Sequence, residues 1–71
     1  MKKHSVSIRG HSTSFSLENE FWNELKSIAQ KRHISIAQLV TQVDIRRVEN
    51  QNLSSALRLY VLDWLKSHNS T

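Results

Sequence analysis

The segment His11-Ser12-Thr13-Ser14-Phe15-Ser16-Leu17 alternates strictly, with Thr13, Phe15 and Leu17 on one side and Ser12, Ser14 and Ser16 on the other. A period of two predicts a half-buried β-strand over 11–17, because successive side chains leave a pleated backbone on opposite faces. At Glu18 the period changes. Leu17, Phe21, Leu25, Ile28 and Ala29 recur at spacings of three and four, one stripe of a helix over 18–32, with Trp22 at its flank. Glu18, Glu20 and Glu24 crowd its start and Lys26, Lys31 and Arg32 its end, an order that complements the helix dipole.

Upstream of the strand, Val6 and Ile8 alternate with Ser5, Ser7 and Arg9, but in the opposite parity. The phase flips across Arg9-Gly10-His11. A bulge at Gly10 would restore one continuous face and put Arg9 beside Ser12, Ser14 and Ser16. The other reading takes residues 1–9 as a frayed end. Residues 1–10 are therefore read as a basic N-terminal arm on a domain spanning 11–67.

Downstream, Ser35-Ile36-Ala37-Gln38 has the form of a capping box and opens a second helix over 36–48, whose apolar side is Ile36, Leu39, Val40 and Val43. Glu49-Asn50-Gln51-Asn52 is a polar break, and Asn52 can cap a third helix over 53–67. Leu53, Ala56, Leu57, Leu59, Tyr60, Val61, Leu62, Trp64 and Leu65 wrap most of that helix, which must then be covered on several sides. The fold class expected is mostly α with one N-terminal β-strand.

A chain of 71 residues makes one small domain. Alone it would bury roughly 60% of its unfolded surface, and domains of this size usually draw on a disulfide, a metal or a partner subunit. It has no cysteine, which removes disulfides and zinc-finger sites, and its four histidines are scattered without ligand spacing, so no metal and no cofactor are expected. With one glycine and no proline it cannot write a glycine-rich phosphate loop. No Ser/His/Asp grouping has a nucleophile elbow, and the chain is not expected to be an enzyme. No stretch reaches membrane-span length and no secretory signal follows the basic start, which fits a cytoplasmic protein.

Ten Lys and Arg against six Asp and Glu give a net charge of +4. The excess lies at the front: residues 1–16 hold Lys2, Lys3 and Arg9 with no acid, beside His4 and His11. A basic arm on a nearly neutral body fits a polyanionic partner or a solubility tail.

A single strand leaves N–H and C=O groups unpaired along both edges. An identical strand from a second chain would supply the ladder, so an obligate homodimer with a two-stranded antiparallel ribbon is expected. Phe15, Leu17, Phe21, Leu25, Leu39, Val43, Leu57 and Tyr60 are its expected core. The apolar surplus of the third helix leaves room for a higher assembly.

A strand, a helix and a capped second helix resemble the ribbon-helix-helix family of DNA-binding proteins, the MetJ/Arc type. The string Gly10-His11-Ser12-Thr13-Ser14-Phe15-Ser16-Leu17-Glu18, with Phe21-Trp22 and Leu53-Ser54-Ser55-Ala56-Leu57-Arg58, is similar to a bacterial subfamily with an appended third helix. The resemblance implies double-stranded DNA as partner, a ribbon in the major groove and alternate strand side chains at base edges. On this sequence those are Ser12, Ser14 and Ser16, supplemented by Arg9. It also places a phosphate at the start of the second helix, at Ser35 and Ile36, where free N–H groups and the dipole favour an anion. Lys2, Lys3 and His11 add phosphate attraction. Three serines are a departure from the long Arg, Lys, Asn or Gln readers of the family, and modest sequence preference follows. The expected function is a homodimeric, sequence-preferring transcriptional regulator, bacterial and nucleoid-associated. The alternative is an antitoxin-like module that binds a protein partner through the third helix.

Overall fold

The computed structural model describes residues 1–68. Its elements run β1 (Lys2–Ile8), β2 (His11–Leu17), α1 (Asn19–Lys31), α2 (Ile36–Arg46) and α3 (Leu53–His68). The two strands form one antiparallel hairpin, with Ile8 opposite His11 and Lys2 opposite Leu17.

The hairpin corrects the expectation of a single strand behind a frayed or bulged arm of residues 1–10. Gly10 is not a bulge. Arg9 and Gly10 have φ of 51° and 81°, the pair of positive values that a two-residue type I′ turn requires. The turn also accounts for the phase flip. Partners across it pair an even number with an odd one, as in Val6 with Thr13 and His4 with Phe15. Inward side chains at 6 and 8 must therefore meet inward side chains at 13, 15 and 17. Arg9 sits exposed at the tip and does not join the serine face.

Val6, Ile8, Phe15 and Leu17 of the hairpin are buried against Leu25, Ile28 and Ala29 of α1, Leu39, Val40 and Val43 of α2, and Leu53, Ala56, Leu57 and Val61 of α3. Burial of Leu17, Leu25, Leu39 and Leu57 is complete within one chain, at 0% exposure each. Phe15 and Val43 are buried in the same core, and Phe21 and Tyr60 pack on its margin. The residues expected to build a shared core thus already form the core of the single chain, and β1 supplies the ladder expected of a second copy.

Four helix ends have a local cause. α1 closes in a Schellman arrangement: His33, at φ 58°, donates its amide to the Gln30 carbonyl at 3.1 Å, and Ile34 donates to Ala29 at 3.0 Å. At α2 the capping box is present, Gln38 N donating to Ser35 Oγ at 3.0 Å and Ser35 N to Gln38 Oε1 at 2.8 Å. α2 ends at Arg46, short of the expected 48, where Arg47 turns extended, pairs with Asp44 at 2.9 Å and donates to the Gln51 carbonyl at 3.0 Å. Asn52 caps α3, its Oδ1 accepting from Ser55 N at 2.8 Å. Two bonds then clamp α3 to the end of β2 and to the start of α1. Ser54 Oγ donates to the Ser16 carbonyl at 2.7 Å, and Arg58 Nε to Glu18 Oε1 at 2.8 Å.

Candidate nucleic-acid interface

The outer face of the hairpin is polar and carries one base, Lys3. Ser12, Ser14 and Ser16 of β2 are exposed, on the side opposite buried Phe15 and Leu17. Across the ladder they face Ser7, Ser5 and Lys3 of β1, also exposed. The hydroxyls of Ser5 and Ser14 are 3.1 Å apart. Residues 1–17 contain no carboxylate, so none of the ribbon's own side chains opposes an anion. Sequence reasoning missed the contribution of β1. Its signal was the parity flip, which a hairpin requires as much as a bulge does.

Backbone groups follow from the turn. A two-residue loop makes Ile8 and His11 a hydrogen-bonded pair, so the alternation places Ser7/Ser12, Ser5/Ser14 and Lys3/Ser16 at non-hydrogen-bonded positions. The backbone groups of Ser12, Ser14 and Ser16 then point away from β1, toward the free edge of β2. The bond from Ser54 to the Ser16 carbonyl agrees with this direction. Side chains also approach closest at such positions, in keeping with the Ser5 and Ser14 contact.

Arg9 and His11 lie exposed at the hairpin tip, and Lys2 and Lys3 are exposed at its other end. Ser35 and Ile36 stand at the start of α2. There the capping box occupies the amides of Ser35 and Gln38, which leaves those of Ile36 and Ala37 without acceptors in the helix. Ala37 is thus a second donor at the helix start that the sequence reading did not name.

His4 is a further residue that sequence reasoning left without a role. Its ring stacks on Trp22 at 3.8 Å and lies 6.0 Å from Phe15, closing the side of the core beneath the ribbon. Its Nε2 is buried without a hydrogen-bond partner. Burial, and then the nearby charges of Lys2 and Lys26, hold the imidazole below its ordinary pKa.

The second and third helices carry another surface. Leu59, Leu62 and Leu65 of α3 are exposed, as are Ile45 and Val48 at the end of α2. A groove of about 430 Å³ runs beside them, lined by Arg32, Arg46, Tyr60 and Trp64 among others. Arg32 Nη1 donates to the Tyr60 hydroxyl at 2.9 Å. Among the described residues no three His, Cys, Asp or Glu side chains converge as a metal site would need, and no helix is long and apolar enough to cross a membrane.

A basic ribbon ahead of two helices, the second opening at a capped terminus, is the architecture of small nucleic-acid-binding regulators. The ribbon-helix-helix domain family model matches residues 1–65, and the chain belongs to the ribbon-helix-helix family. Members of that family are in general DNA-binding transcription regulators or antitoxins that dimerise, and typically they are not enzymes. No match was found among curated proteins or among solved structures.

Proposed function

We propose that this chain is a homodimeric, sequence-preferring double-stranded DNA-binding protein, a bacterial cytoplasmic transcription regulator. The observation that carries the proposal is the outer face of the hairpin: three exposed serines of β2 above a buried apolar face, on a segment with three bases and no acid. Ser12, Ser14 and Ser16 face base edges in the major groove. Arg9 at the tip supplements them with a longer, charged reach. Lys2, Lys3 and His11 hold phosphates, and a further phosphate sits on the Ile36 amide beside Ser35 at the α2 terminus. Serine hydroxyls both donate and accept, so they discriminate weakly between bases, and bridging water carries part of the contact.

Dimerisation is supported by two surfaces that one chain leaves without a partner. The outer edge of β2 has backbone groups free at Ser12 and Ser14, where the same edge of a second copy can pair antiparallel. The Leu59, Leu62 and Leu65 face adds an apolar patch. That patch also favours a second reading, in which α3 holds a protein partner as an antitoxin would.

Selection from a randomised DNA pool, at low and at physiological salt, tests the proposal. Enrichment of a two-fold symmetric site supports it. Salt-steep binding without enrichment assigns the ribbon an electrostatic role only, and absence of binding at both salts overturns the DNA reading. If the purified chain stays monomeric and a stoichiometric partner from its host covers α3, the second reading takes its place.

A further inference from the structure

We propose that β1 is a second DNA-contacting strand, with Lys3, Ser5 and Ser7 holding the phosphate rows that flank the groove entered by β2. The inference rests on the DNA-binding reading and on pairing of two copies through the β2 edge. The register puts these three side chains on the outer face, level with Ser16, Ser14 and Ser12, and all are exposed. They form a continuous polar surface with β2, as the 3.1 Å approach of the Ser5 and Ser14 hydroxyls illustrates.

Width decides what β1 can touch. Pairing through β2 gives the strand order β1-β2, then β2-β1 of the second copy. Neighbouring strands lie about 4.8 Å apart, so the two β1 strands are separated by roughly 14 Å. The major groove is about 12 Å wide and admits two strands. The central pair therefore sits over the base edges and each β1 over a groove wall, where the phosphates are. The chemistry on β1 suits that place: one ammonium and two hydroxyl donors, with no carboxylate to repel the backbone. Strands resting on the walls also limit how deeply short serines of β2 can reach, in keeping with modest sequence preference.

Binding of wild type and variants to the enriched duplex and to a scrambled duplex tests the assignment, with each affinity taken across a salt series. Lys3→Ala removes two phosphate contacts per dimer and lowers the salt slope by about 1.8. Its affinity then falls roughly tenfold less than that of wild type between 50 and 200 mM salt. Ser5→Ala with Ser7→Ala removes four hydroxyl contacts per dimer, weakens both duplexes alike, by about thirtyfold or more, and leaves the salt slope unchanged. Ser5→Thr with Ser7→Thr keeps the hydroxyls and restores binding, which separates loss of contact from loss of fold.

A loss confined to the enriched duplex would overturn the proposal, since β1 would then be reading bases. Unchanged binding in both β1 variants would overturn it equally, leaving β1 only a cover for the core. If wild type itself enriches no site and binds neither duplex, the DNA reading falls and the inference with it.

Discussion

Arg9→Asn separates two demands placed on one residue. Arg9 occupies the first central position of the hairpin turn at φ 51°, a left-handed conformation that costs an ordinary L-residue roughly 1–2 kcal/mol. Asparagine tolerates that region because its short amide can bond the local backbone, and Asn-Gly is the preferred pair for this turn. The substitution touches no core residue, since Arg9 is exposed. Relief of about 1 kcal/mol is expected, and in a domain of this size that raises the thermal midpoint by about 4–8 °C. DNA binding moves the other way. Losing the charged, base-directed side chain at the tip of each hairpin weakens the selected site and narrows its margin over a scrambled duplex. Circular dichroism melts at matched protein concentrations read the first effect, and fluorescence anisotropy on the selected and a scrambled duplex reads the second. A midpoint that stays level or falls would refute the turn-strain reasoning. A higher midpoint with undiminished DNA affinity would remove Arg9 from the contact surface while leaving the turn intact.

Three further outcomes follow from local geometry. His33→Gly stabilises the chain by about 1 kcal/mol in denaturant melts, because residue 33 closes α1 in the left-handed region that glycine adopts freely. Phe15→Ala, which empties a site only 5% exposed, costs about 3–5 kcal/mol in the same assay. For His4 the folded pKa lies below 6.5, so above 6.5 both folded and unfolded chains hold the ring neutral. As pH falls from 6.5 toward the lowered folded value, the unfolded chain takes up a proton that the folded chain resists, and stability drops across that window. In His4→Phe this contribution to the acid limb of stability vanishes, as urea midpoints between pH 7.5 and 5 will show.

Much of the fold is legible in the sequence because its determinants are local. The alternation from His11 to Leu17 locates β2 to the residue, and Ser35 with Gln38 locates the start of α2 through a bond pattern confined to four residues. The Phe21, Leu25, Ile28 stripe yields α1 to within a residue at each end. β1 was obscured for an equally physical reason. Arginine is a poor occupant of a left-handed turn position, so Arg9-Gly10 lacks the Asn-Gly or Asp-Gly signature that announces a two-residue hairpin. The end of α2 depends on Arg47 reaching Asp44 and Gln51, side-chain bonds that no periodicity encodes. The outward serines of β2 could be read from alternation alone, whereas those of β1 became part of the same surface only once the register joined them. His4 was hidden for a related reason, since its stacking partner Trp22 lies on another element.

The hairpin alters what a second copy has to supply. A lone strand needs a partner to complete its ladder and to cover its apolar face, and its folding is then inseparable from association. Here β1 pairs with β2 and Leu17, Leu25, Leu39 and Leu57 are closed off within one chain. The proposed dimer is left with the outer edge of β2 and the exposed leucines of α3 as its contacts. The edge is only partly open, because Ser54 already occupies the Ser16 carbonyl and α3 is held there by Arg58 on Glu18. A second copy approaching that edge therefore meets the start of α3 as well as a strand. In the proposed dimer Ser54 and Arg58 thus stand where ribbon pairing and third-helix packing would join, and a change at either would be felt by both.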